Sequence, residues 1–462
     1  MTARSRAALG WTLAVVLAGI VSISPLAVVE AAHSLPPQSR DLGPSGIIPA
    51  ESGLPPGLQP IGAPILVGGS SSAMLVDDSD NKVYVANFHT FNVSVISTVS
   101  HVLFYTLPTD ADPIQVLADP SDNLVMVANS LYYGTHDDCP GPCPANGTIT
   151  FYSASTDALL NTVQVGLQPA SMAFSPLSDD LYVANVGSSN ISVISANQER
   201  VVGSINIPSI ELIADPTTGF VYSASGGISG TVSVIDSVNN TVVATVPVGS
   251  FPLGLLLDPW NGDLYVENQG SNSITIISTA TNRAIAVVPV PSQPGLMTLD
   301  STNGDVIVGC SEFSNARQFY NGTLNVISPS SNAIVRSLPV SAYMYGMAED
   351  NATGALYFLT YQNLTVFNAS SVTPLYTDLV DSSAYRMAFD PAGNALYILS
   401  PSYEIGVPGV VNIYVPPPPV TVGNSGGPLG PITLSDLVFS GAIVAGVLLA
   451  AVIALNRKST RR

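Results

Sequence analysis

The densest group of chemistry-bearing side chains in this 462-residue chain is His136-Asp137-Asp138-Cys139-Pro140-Gly141-Pro142-Cys143. Two thiols so spaced, with a histidine and two carboxylates before them, suit either a disulfide that staples a loop or a small metal site. A finger-type metal site needs a second ligand pair at comparable spacing, and none is present. An exported chain favours the Cys139–Cys143 disulfide. Cys310, the third and last cysteine, ends a β-rich run and reads as a buried free thiol. Of the four histidines, His33 lies near the N-terminus, which leaves His89, His101 and His136 for acid–base work. There is no Gly-x-Ser-x-Gly elbow, phosphate loop or nucleotide fingerprint. Asp77-Asp78-Ser79-Asp80-Asn81 carries calcium-friendly oxygens but lacks the glycine and terminal glutamate of a calcium loop, so it reads as an acidic turn. No metal and no cofactor are expected.

Binding chemistry is better supplied. The segment from Ser130 to Asn146 offers Tyr132, Tyr133, His136, Asp137 and Asp138; that from Ser311 to Tyr320 offers Glu312, Phe313, Arg317, Phe319 and Tyr320; a third offers Tyr403 and Glu404. Aromatic rings beside hydrogen-bonding groups suit neutral glycans or peptide segments, and equally they can pack the loops that carry them.

These segments interrupt a repeat. Between residues 65 and 415 the chain restates one phrase: Asp-Pro, a turn, a Leu-Tyr-Val-like run ending in Ala-Asn, a polar loop, and an Ile-Ser-Val-Ile-like run. It occurs around Tyr84, Met126, Tyr182, Tyr222, Tyr265, Ile307, Tyr357 and Tyr397, mostly at steps of about 40–50 residues, the period of propeller blades. Each copy holds four short β runs, as in 254–257, 264–266, 274–277 and 284–288. Four strands per period make one blade, and such blades stack radially because none buries both faces alone. An all-β propeller of eight four-stranded blades follows over 64–415, with seven blades and one misassigned repeat as the alternative. The recurrent acids, as in Asp215-Pro216-Thr217-Thr218-Gly219, read as turn caps. The chain turns into Pro416-Pro417-Pro418-Pro419 after Val415, so it cannot add a last strand there. The residues Pro64 to Val67 are therefore expected to complete blade eight. No repeat places a cluster of His or Glu on its inner strand, which argues against an axial catalytic metal.

Leu181-Tyr182-Val183-Ala184-Asn185 followed by Ile191-Ser192-Val193-Ile194-Ser195 resembles the YVTN-type β-propeller repeat of archaeal surface-layer and related exported, YncE-like proteins. The resemblance covers about 350 residues and implies the fold; eight copies depart from the seven blades common in that family. It implies a surface or exported setting and leaves the activity open.

The ends agree with export. Arg4 and Arg6, an apolar run from Ala7 to Ile23, and small residues at Ala27, Ala31 and Ala32 have the layout of a secretory signal over 1–32, with an uncleaved anchor as its rival. Residues 33–63 form a Pro/Gly-rich lead-in and 416–436 a Pro/Gly stalk. The charge-free run 437–455 is long enough for one transmembrane helix, and the tail 456–462, with Arg457, Lys458, Arg461 and Arg462, should remain cytoplasmic.

The chain is 46% hydrophobic but only 10% charged, with Lys+Arg 13 against Asp+Glu 32 and a net charge of −19. That excludes a disordered chain and argues against nucleic acid as a partner. Asn-x-Ser/Thr triplets at Asn92, Asn146, Asn190, Asn239, Asn321, Asn351, Asn363 and Asn368 are glycosylation candidates outside a membrane. Together these readings describe a membrane-anchored, cell-surface propeller that binds envelope proteins, peptides or neutral glycans through blade loops, or serves as an envelope scaffold. The alternative is an exported propeller enzyme, a metal-dependent hydrolase or lyase, or an electron-transfer partner.

Overall fold

The computed structural model describes residues 57–130, 146–314, 319–340, 343–360, 362–402 and 406–416; side chains at 312–314 and 319–321 are outside the description. Apolar residues recur in tight runs of five or six. In the second strand of a repeat, such as Asp180–Asn185, every residue is buried. A strand covered on both faces needs a sheet between two other sheets, and the radial stack supplies it.

Seven blades are four-stranded antiparallel meanders: 71–108, 113–167, 169–205, 211–247, 252–289, 294–340 and 344–379. The eighth combines Arg386–Asp390, Ala395–Ser400 and Gly409–Val415 with the N-terminal pieces Gln59–Pro60 and Ile65–Val67. Ile65, Leu66 and Val67 stand opposite Val411, Val410 and Gly409, and Gln59 and Pro60 stand opposite Val415 and Tyr414. The expected closure strand is present and begins earlier than Pro64. The first strands of the blades touch in cyclic order, blade eight against blade one, and so surround the axis. There are eight blades, and the seven-blade alternative falls.

The repeated residues have identifiable work. The turn acid accepts a backbone N–H two or three residues on: Asp215 from Thr217 at 2.8 Å, Asp258 from Trp260 at 2.8 Å, Asp350 from Ala352 at 2.9 Å. The last turn residue takes positive φ and is accordingly Gly or Asn in most blades, as at Gly219 (φ 73) and Asn394 (φ 47). In three blades the repeat tyrosine joins neighbouring blades, whereas the Tyr84 and Tyr265 hydroxyls are buried without a hydrogen-bond partner. Tyr182 in blade three donates to Asn240 and to the Ser237 carbonyl in blade four, Tyr222 in blade four donates to Asn282 in blade five at 3.2 Å, and the Tyr397 hydroxyl of blade eight meets His101 Nδ1 of blade one at 3.3 Å. Between blades one and two, Lys82 does this with an ion pair to Asp157 at 2.9 Å and a bond to the Ala154 carbonyl.

The asparagine that closes the second strand is fully buried in blades one, two, three and five. Asn185 donates to Ser192 at 2.9 Å and accepts from the Gly166 N–H at 3.1 Å. A Cβ at residue 166 would lie 2.7 Å from Asn185 Cγ, which is why a glycine stands there. Among the described residues no helix is long and apolar enough to cross a membrane; the run 437–455 lies outside them, as do 1–32.

Candidate functional site

In a four-stranded meander the second strand ends, and the first begins, on the same face of the ring. The connections between second and third strands therefore open on the face where the inner strands start. The strands bounding the three candidate segments all end there: Asn129 and Asn146, Ser314 and Phe319, Ser400 and Gly409. Tyr132, Tyr133, His136, Asp137, Asp138, Cys139, Cys143, Arg317, Tyr403 and Glu404 lie outside the described residues. Phe313 and Tyr320 belong to strands rather than to an irregular loop. The hairpin Val306–Ser314/Phe319–Ser328 continues the ladder past the blade, with Phe313 opposite Tyr320. Asn146, Asn239 and Asn351 are exposed, whereas Asn92, Asn190, Asn363 and Asn368 are partly buried; the Asn321 side chain is not described.

Where the inner strands begin on this face, the repeat is broken by carboxylates. Glu211 opens the first strand of blade four (Glu211–Ala214), and Glu267 is the penultimate residue of the second strand of blade five (Asp263–Asn268). Glu211 is partly exposed and Glu267 only 3% exposed. Glu267 Oε1 is buried with no hydrogen-bond partner. Burial pushes the Glu211 carboxyl up to about 8, against the opposing effect of a hydrogen bond with Ser171. Burial, reinforced by the neighbouring Glu211, pushes Glu267 up to about 8 as well. No Lys or Arg offsets either shift, so near neutrality both carboxyls are largely protonated. Cys310 of blade six is a fully buried free thiol, as expected. Its pKa is pushed up to about 12, first by burial and then by Glu267, so it is a thiol rather than a nucleophilic thiolate.

No inner strand carries a His/Glu cluster among the described residues, but Glu211 stands alone on one and Glu267 lies on the second strand of the next blade. Glu211 occupies the position held by Gln115 in blade two and Ser171 in blade three. Those side chains bond to the next blade's inner strand, Gln115 accepting from the Met172 N–H at 2.7 Å and Ser171 from the Leu212 N–H at 3.1 Å. Glu267 replaces the alanine of the repeat (Ala86, Ala128, Ala184, Ala224). Room is made by Gly254, opposite it in the ladder: a Cβ there would lie 2.6 Å from Glu267 Oε2. That paired departure, Glu for Ala and Gly opposite, was the signal available in the sequence.

Further along the same face is a cleft of about 50 Å³ at the starts of blades six and seven, lined among others by Gln269, Gln293, Ser311, Tyr343 and Met344 but not by either carboxyl. Tyrosines continue around the mouth. Tyr343 and Tyr345 meet edge to face at 5.1 Å, Tyr345 and Tyr385 at 5.9 Å, and the Arg386 guanidinium lies 5.4 Å from the Tyr385 ring centre. Buried carboxyls, amides and aromatic faces can hold a small polar group by hydrogen bonds and by ring faces.

On the opposite face, among the described residues, three carboxylates approach one another across blades two and three: Asp119, Asp122 and Asp179, with oxygens within 4.8 Å. Asp179 stands in the positive-φ turn position (φ 57) that Asn or Gly fills elsewhere. Burial and then Asp122 push it up to about 6. Asp119 already caps its turn by accepting from the Ser121 N–H at 3.0 Å.

No protein-family model matches the chain, and no curated protein matches it. Solved structures share its fold. The C-terminal WD40 domain of Sif2 superposes with a TM-score of 0.60 at 11% identity, over 79% of this chain and 100% of that one. A dihydro-heme d1 dehydrogenase, NirN, in complex with DHE gives 0.58 at 13% identity, over 75% of this chain and 76% of that one. U3-55K gives 0.50 at 11% identity, over 78% and 98%. Identities this low speak to the fold alone. An enzyme is among these neighbours alongside a WD40 domain, so the fold does not decide whether this chain is catalytic.

Proposed function

We propose that this chain is an exported, membrane-anchored β-propeller of the YVTN-type repeat class that acts as a binding module at the cell surface. One observation carries the reading: the carboxyl pair, the tyrosine group and the strand ends that bound all three enlarged connections share one face of the ring. Concentrating polar, aromatic and variable features on one end of a repetitive scaffold is how repeat folds carry recognition. The signal-like N-terminus, the apolar run 437–455 and the basic tail support the surface setting, with the membrane as one partner. Peptides, neutral glycans and envelope proteins are the ligand classes that a strongly acidic chain with aromatic loops accommodates.

The test applies the purified full chain to glycan and peptide arrays beside variants in which 131–145 or 401–408 is replaced by a short Gly/Ser turn. Loss of array signal with retained melting behaviour supports the reading, and unchanged binding by both variants rejects it. Surface location is tested separately, by protease shaving of intact cells.

A second reading has its own observation. Carboxyls held near neutrality are what a general acid requires, and Glu211 and Glu267 would be the groups to test in an exported hydrolase or lyase.

A further inference from the structure

We propose that the Glu211–Glu267 pair is a docking site for a cationic group of the ligand, an alkylammonium or guanidinium. The proposal deepens the binding-module reading and rests on it for the choice of face.

Glu267 is the deciding residue. Its side chain is 3% exposed and Oε1 has no partner. An isolated acceptor so buried costs about 1–3 kcal/mol relative to one that is satisfied. A purely structural role would be served by the alanine found in four other blades, with no need for a glycine opposite. Instead Gly254 leaves space for the carboxylate, and no Lys or Arg acts on it. The groups that face the pair are Glu211 itself, Cys310 as a neutral thiol, and the Ser171 hydroxyl. All are acceptors or neutral, so the missing component is a donor that carries positive charge.

Size and setting favour an organic cation. Ca²⁺ takes six to eight oxygens, and two carboxylates with a thiol nearby fall short of that. An ammonium has three donors to place and needs few acceptors. A cleft of about 50 Å³ lies further along this face, more than the roughly 10–15 Å³ that one water needs on the same measure; the carboxyls do not line it, so the cation must move side chains aside to reach Glu267. Gln269, two residues beyond Glu267, and Tyr343 both line the cleft, and ring faces favour cations. The net charge of −19 steers cations toward the molecule as a whole. Both carboxyls rest near pKa 8 without a ligand, so a bound cation must drive their ionisation and expel protons at pH 7.

The experiment is calorimetric titration of the purified full chain with n-butylammonium chloride at pH 7, in phosphate and in HEPES, whose ionisation heats differ, with n-butanol and CaCl₂ as controls. Expected are binding of the amine but not of the alcohol, apparent heats that differ between buffers because protons are released, and at least tenfold weaker binding in Glu267→Gln. Glu211→Gln provides an independent second variant, and circular dichroism verifies that both fold. Equal binding by wild type and both variants, absence of amine binding, or calcium binding that depends on Glu267 in place of the amine would each overturn the proposal. If butylammonium does not bind while shortened connections still abolish array signal, this inference falls and the binding-module reading stands.

Discussion

Replacing Glu267 by Gln should change how the protein's stability depends on pH, in a direction opposite to that of a carboxylate held ionised by an ion pair. The folded-state pKa is about 8 against an ordinary value of 4.5. Between these two values the folded state holds a proton that the unfolded state has lost. Stability from this group is therefore fully present below about pH 4.5 and is lost as pH rises through 8. Each unit of pH in that window removes about 1.4 kcal/mol, so about 5 kcal/mol is the ceiling over the whole interval. Coupling to Glu211 spreads the loss over the pair and reduces the share of either member. Gln copies the shape of the neutral acid and cannot ionise. The variant should match wild type at pH 5 and exceed it by about 1–3 kcal/mol at pH 8. Urea unfolding at pH 5, 6, 7 and 8 measures this, and contributions from Asp179 and the other acids cancel in the difference. Parallel curves for the two proteins would refute the assignment of Glu267 as a neutral buried carboxyl.

Further outcomes follow from the same geometry. Gly254→Ala should displace the Glu267 carboxylate and destabilise by about 1–3 kcal/mol, and Glu267→Ala in the same chain should recover most of that loss, a coupling read by a double-mutant cycle. Tyr182→Phe removes a hydroxyl that ties blade three to blade four and should cost about 1 kcal/mol in urea unfolding; no change would deny the tyrosine its inter-blade role. Asp179→Asn relieves a carboxylate pushed up to about 6 and suits the positive-φ position, so it should stabilise at pH 7 by a few tenths to about 1 kcal/mol, an advantage that shrinks toward pH 4. Deleting the residues before Ser71 should lower the melting temperature and promote self-association through the uncovered edge of Gly409–Val415; unchanged melting would mean that closure contributes little.

The propeller was legible because its signals are repeated. Eight copies of an apolar run, each with its turn acid, average out local exceptions, and the proline run after Val415 directs the search for a last strand to the N-terminus. The carboxyl pair was hard to see for the same reason. Glu267 differs from its repeat by one residue, and Glu211 lies in a strand whose counterparts carry Gln and Ser, so neither forms a motif. Only the stacking of consecutive blades four, five and six brings residues 211, 267 and 310 into one region, and packing across blades has no trace in local spacing. The extended hairpin around Phe313 and Tyr320 was misread because Gly322, Asn321 and Ser314 are turn-like residues that the ladder nevertheless absorbs.

The arrangement of blade eight has a mechanical consequence. The last strand described, Gly409–Val415, is not at an edge: it is hydrogen-bonded to Ala395–Ser400 on one side and to Ile65–Val67 and Gln59–Pro60 on the other. Tension applied through the residues that follow Val415 would load two ladders in shear, so several bonds must fail together. An edge strand pulled the same way would be held by one ladder only. A propeller tethered by this end would carry its load through the seam that closes the ring, and single-molecule pulling from residue 416 should meet its first resistance there.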